Sequence, residues 1–113
     1  MNDINWPAGL CVAITVSDIS GKIVYMNDKS ASTFAKYGGR DLEGSNLKDC
    51  HLPASWEKIL HILNSGKNNC YTIEKEGIKK LIYQTPWYEE GKIAGLVELS
   101  MEIPFSMEHF VRK

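Results

Sequence analysis

Cys50 and His51 stand side by side in LKDCHLPAS (47–55), and a thiol next to an imidazole is the first place where this chain could do chemistry. Either group could ligate a haem iron. The remaining histidines are His61 and His109, and the remaining cysteines are Cys11 and Cys70. Their spacing gives no H-x-x-x-H, H-E-x-x-H or C-x-x-C pattern, so it indicates neither a metal site nor a dithiol couple. The three cysteines read as buried or reduced thiols. His61 shares a helical stretch with Trp56, Ile59, Leu60 and Leu63 but falls away from the face of Leu60, a solvated position. Glu89-Glu90-Gly91 reads as a charged turn. G-x-S-x-G, P-loop and dinucleotide fingerprints are all missing, so an enzyme would need an unrecognised constellation.

The elements that must position these groups follow from periodicity. In LCVAITVSD (10–18), the large apolar Leu10, Val12, Ile14 and Val16 alternate with the small or polar Cys11, Ala13, Thr15 and Ser17. Period two with β-branched residues predicts a strand. SDISGK supplies the turn and KIVYM the returning strand, after which Asn27 or Asp28 can cap a helix. That helix, KSASTFAKY, stops at Gly38-Gly39. RDLEGSNLKDCHLP predicts only single turns broken at Gly44, and a longer helix runs from Ala54 to Ser65 with Gly66 ending it. Three strands close the chain: NCYTIEKEG, running into a turn at KEG, then IKKLIYQTPWY and IAGLVELSMEI, the last with Ile93, Val97, Leu99 and Met101 on one face. Pro86 has no N–H to give a ladder and predicts a bulge or a strand end. Strands joined by hairpins make the class α+β, and both strand groups must share one antiparallel sheet to bury their apolar faces.

The chain has 113 residues, 43% hydrophobic and 24% charged, and a net charge of −1. That supports one core, and the scattered lysines and arginines give no footprint for nucleic acid or an anionic membrane. No signal peptide or bilayer-spanning run is read, so the expected location is cytoplasmic.

VSDISGKIVYMN (16–27), GGRDLEGSNL (38–47) and QTPWYEEGKIAGLVELSMEI (84–103), in this order and spacing, resemble a PAS domain over about residues 8–103. The resemblance implies a five-stranded antiparallel sheet of order 2-1-5-4-3, with short helices and one longer helix over one face around a small-molecule cavity. LKDCHLPAS is also similar to a subgroup of bacterial and archaeal PAS sequences with C-H-P here, although the proline is displaced by one residue. The family's D-I-T exit is replaced by Glu102-Ile103-Pro104. The expected division is an N-terminal segment (1–9) packed on the domain, a PAS domain (10–103) and a tail (104–113).

By this resemblance Thr15, Ser17, Ile82, Gln84, Gly95 and Val97 line the sheet wall of the cavity, and Phe34, Leu47 and Leu63 the helical wall, with His51 nearby. Leucine at position 47 stands where photosensing relatives carry their flavin-reactive cysteine, which removes the flavin-adduct chemistry and leaves non-covalent flavin as a weak option. Haem with His51 or Cys50 as axial ligand is one alternative, and a small enzyme in the same pocket is another. Leu10, Val12, Ile14, Val16, Leu81, Tyr83 and Trp87 would then form an apolar outer face, covered by INWP with Trp6 as anchor and by a second copy. The expectation is a freestanding prokaryotic sensor or interaction module, homodimeric and non-catalytic. It binds a small molecule or a protein partner and signals in trans to a separate signalling protein.

Overall fold

The computed structural model describes residues 4–113. Its elements follow the order β1 (Ala13–Ser17), β2 (Ile23–Met26), α1 (Asp28–Thr33), α2 (Leu47–Cys50), α3 (Pro53–Ser65), β3 (Asn69–Lys75), β4 (Ile78–Glu89) and β5 (Lys92–Ile103). Two 3-10 turns, Ala35–Tyr37 and Gly39–Leu42, lie between α1 and α2. The strands form one antiparallel sheet in the order β2-β1-β5-β4-β3, as the resemblance implies.

Each turn has a local cause. Between β1 and β2, Asp18 Oδ1 accepts hydrogen bonds from the Ser20 amide, the Ser20 hydroxyl and the Lys22 amide. These bonds, the Ser20 hydroxyl first, hold the Asp18 carboxyl below its ordinary value. α3 starts on Pro53, whose missing N–H is no loss in a first turn, and ends on Gly66 in the left-handed region. At the β4–β5 turn Glu90 and Gly91 both take positive φ, as a tight hairpin requires. Pro86 lies beyond the last residue pair of β3 and β4, where only β5 runs beside it, and the bulge falls one residue later between Trp87 and Tyr88.

The core is formed by Ile23, Met26 and Leu47 with Ile59, Ile62 and Leu63 of α3 and Leu96 of β5. Asn27 ties the fold at its crowded corner. Its Oδ1 accepts from the Ile14 and Ser30 amides at 2.9 Å each, capping α1, while Nδ2 donates to the carbonyls of Pro7 and Val12. The side chain is 1% exposed and every donor and acceptor is used. β1 therefore starts at Ala13 rather than Leu10, because the Val12 carbonyl and Ile14 amide face Asn27. The outer edge of β2 is closed by Glu43–Ser45, with Ile23 and Ser45 and then Gly44 and Ile23 joined by backbone bonds, and Glu43 accepting from the Met26 amide.

The N-terminal segment is fastened by Pro7 and Ala8, whose carbonyls accept from Asn27 and Asp28. Residues 1–3 lie outside the described residues. Trp6 is not an anchor, being 64% exposed; the contact runs through the backbone instead. The cysteines are reduced but not buried: Cys11 precedes β1, Cys50 ends α2, Cys70 lies on edge strand β3, and all are exposed. Residues 104–113 follow the sheet without helix or strand.

Removing the Asn27 carboxamide orphans buried groups in three segments. Asn27→Ala is expected to cost about 3 kcal/mol in urea unfolding, and Asn27→Asp to be destabilising as well, since it loses both donors.

Candidate functional site

Between the sheet and the segment from α1 to α3 lies an apolar cavity of about 460 Å³, a size that holds a small ligand. Its helical side is made by Phe34, Tyr37, Leu42 and Leu47, and Cys50 and His51 stand at the end of α2. Ile23 and Met26 of β2 close one flank, and Tyr71 and Ile73 of β3 the other. Thr15, Ile82 and Glu98 form the sheet floor. Of the expected lining residues, Thr15, Phe34, Leu47, His51 and Ile82 are here. Ser17 lines a small crevice with Thr15 and Glu98, and Gln84 lines an adjoining cleft with His51, Lys58 and Asn69.

Three expected wall residues are elsewhere. Leu63 is buried in the core under α3. Val97 faces the opposite side of the sheet: it pairs with Val16 and Thr85, while Glu98 pairs with Thr15 and Gln84, so Glu98 occupies the inward place. Gly95 serves backbone packing. A Cβ there would run into the Ser17 carbonyl oxygen and lie 2.7 Å from Trp87 Nε1. Its absence lets Trp87 Nε1 donate to the Ser17 carbonyl at 2.9 Å, so Trp87 is held inside the sheet corner rather than left free for a partner. Of the other outer-face residues, Ile14 is buried, Val12, Val16, Leu81 and Tyr83 are half-buried, and Leu10 precedes β1 and is exposed.

Glu98 carries no local signal for an inward place, because LVELSMEI alternates cleanly, with Val97, Leu99 and Met101 apolar and Glu98, Ser100 and Glu102 polar. Hydropathy assigns such a polar row to solvent; the register turns it toward the helices. Its carboxylate is held by a relay: Asn69 Nδ2 donates to Gln84 Oε1 at 3.0 Å, and Gln84 Nε2 donates to Glu98 Oε1 at 2.8 Å. Deeper in, the hydroxyls of Thr15 and Ser30 are 2.6 Å apart. His51 Nδ1 lies 2.8 Å from the Leu47 carbonyl, which can only accept, so Nδ1–H donates there, and Nε2 has no partner among the described residues. Burial raises the Tyr71 phenol, and the negative charge of Glu98 raises it further.

Solved structures share this fold. A PAS domain from Colwellia psychrerythraea is 20% identical over 86% of this chain and 90% of its own, with a TM-score of 0.64. The Aer2 receptor of Vibrio cholerae, a dual PAS–haem oxygen sensor, is 13% identical over 82% of this chain and 95% of its own, with a TM-score of 0.65. This chain has the PAS fold. VqmA bound to DPO is 17% identical over 80% of this chain and 52% of its own, with a TM-score of 0.62. No family model matches the sequence, and neither does any curated protein. Among the described residues no helix is long and apolar enough to cross a membrane.

The cavity of this PAS fold suits haem poorly. His51 Nε2 could serve as an axial nitrogen, but no lysine or arginine lines the cavity to meet the propionates, and Glu98 stands on its floor. Among the described residues no group of three or more His, Cys, Asp or Glu side chains is placed to hold a metal ion.

The Tyr71 proton is held more tightly in the fold than in the unfolded chain, where the phenol titrates near 10.0, so stability falls as pH rises above that value. Ring carbon NMR is expected to show Tyr71 titrating above 10.0. Glu98→Gln should lower that midpoint without restoring it fully, because the charge goes and the burial remains. An unchanged midpoint would separate Glu98 from the effect.

Proposed function

We propose that this protein is a PAS sensor module that binds a small molecule in the cavity between sheet and helices and passes the change in occupancy to a protein partner in trans, without catalysis. The observation that carries this reading is the cavity itself: an apolar space with a few oriented polar groups, Thr15, Glu98 and His51, set in a fold whose other members include ligand-bound sensors. The ligand would act by its differential affinity for two arrangements of the helical side, since α1 and α2 are short and the 3-10 turns between them carry few ladder bonds. A cytoplasmic setting fits such a module.

The outer face supports a second copy as partner. Val16 and Val97, Ile14 and Leu99, and Leu81 and Met101 are cross-strand pairs that place apolar side chains in rows there. The tail adds Phe105, Met107 and Phe110, all exposed.

Native mass spectrometry of freshly purified protein, with an absorption spectrum of the same sample, tests the ligand reading. A bound organic mass without a visible band is expected. A haem-sized adduct with a matching band would replace this reading with a haem sensor and make His51→Ala the next variant. For the assembly, light scattering is expected to give a dimer, and Leu99→Lys a monomer with unchanged circular dichroism. A wild-type monomer would remove the dimer.

A further inference from the structure

The cavity lining holds one carboxylate and no lysine or arginine; its other polar groups are the hydroxyls of Thr15, Tyr37 and Tyr71, the Cys50 thiol and the His51 ring. Glu98 presents a carboxylate on the floor, held facing inward because the relay from Asn69 through Gln84 ends on it. Of its two oxygens only Oε1 has a donor among the described residues. No lysine or arginine lines this cavity, and the ion pairs among the described residues join Arg40 to Asp28 and Glu43, not any cation to Glu98. Lys58 lines the adjoining cleft, with His51, Tyr71 and Gln84. A half-buried carboxylate with one hydrogen bond and no ion-pair partner among the described residues leaves Oε2 open, and an arriving positive charge would pair with it.

Two further features favour a cation. Phe34, Tyr37 and Tyr71 place three aromatic rings around the same space, and aromatic faces attract positive charge. His51 has Nδ1 committed to the Leu47 carbonyl, and its Nε2 has no partner among the described residues, so the neutral ring can accept from a bound N–H there.

We propose that the cavity takes an organic cation: a molecule of one or two rings or a short apolar body bearing a protonated amine, with the ammonium against Glu98 and the body among Ile23, Leu47 and Ile82. This rests on the reading that the cavity binds a small molecule, and it names the class. The same carboxylate repels phosphates and carboxylates of otherwise suitable shape, so it selects by exclusion as well as attraction.

Matched probes test this on the full chain. 2-Phenylethylamine, 2-phenylethanol and 3-phenylpropionate share a body and differ in charge, as do tryptamine, tryptophol and indole-3-propionate. Each is titrated against wild type and Glu98→Gln while the methyl resonances of Ile23, Leu47 and Ile82 are followed by NMR. The amines are expected to bind wild type about tenfold or more tighter than the alcohols, with the acids giving no shift. In Glu98→Gln the advantage of the amine is expected to disappear while alcohol binding stays the same. Amine and alcohol binding equally, an acid binding best, or an amine preference that survives Glu98→Gln would each overturn the proposal while leaving the cavity as a ligand site. No shift of these methyls with any probe would overturn the ligand reading itself. If Glu98→Gln does not fold, the order of the three charges in wild type decides alone.

Discussion

One carboxamide sets the geometry on which the rest depends. Asn27 is the residue where the second strand becomes the first helix, and its four hydrogen bonds go to the N-terminal segment, the first strand and the first turn of α1. A buried amide with two donor hydrogens and one oxygen accepting twice has one low-energy solution when its four partners are backbone groups from three segments, since any shift leaves at least one unsatisfied. α1 therefore cannot slide along the sheet. Ser30 arrives over Thr15 with the two hydroxyls in contact, and Arg40 donates to the Met26 carbonyl while Glu43 accepts from the Met26 amide. The helical segment is thus pinned along the β2 side of the sheet, and from Phe34 through Leu42 it arches over the inner face rather than lying flat on it.

The sheet contributes the other half of the constraint. Small residues on the inner face of β1, namely Ala13, Thr15 and Ser17, leave depth beneath the arch. Gly95 lets β5 and the Trp87 ring close on the Ser17 carbonyl, and register shifts at Val16/Ser17 and Trp87/Tyr88 meet at the same corner. Bulges there add local twist and bend. α3 fills that end with Ile59, Ile62 and Leu63, so the space left open is the region between β2, the arch and β3. The arrangement puts a packed core under α3 and an unfilled cavity beside it within one layer.

How much of this could be read from residues alone follows from where local chemistry decides. Asn27 as cap, Gly66 as helix stop, the Gly44 break and the hairpin turns are set by side chains within a few positions, and the sequence shows them. The strand order came from resemblance, because no local signal says that β1 lies beside β5. The face of β5 is not set locally, since Val97 and Glu98 exchange places with a one-residue change of parity. In this fold both faces carry apolar rows, so hydropathy cannot rank them. The role of Gly95 and the exposure of Trp6 are long-range facts: the first depends on Ser17, far away in the chain, and the second on the backbone rather than the indole holding the N-terminal segment. Glu98 was legible only as an isolated carboxylate in a strand.

The central claim is that the space between arch and sheet is an open apolar cavity and not a filled core. Methyl NMR of the protein under xenon pressure tests it directly, since xenon enters apolar voids and shifts the methyls around them. An open cavity gives saturable shifts at Ile23, Met26, Leu47 and Ile82, which line it, with Ile62 under α3 unchanged. Small, unsaturable shifts spread evenly over all of these methyls would contradict it.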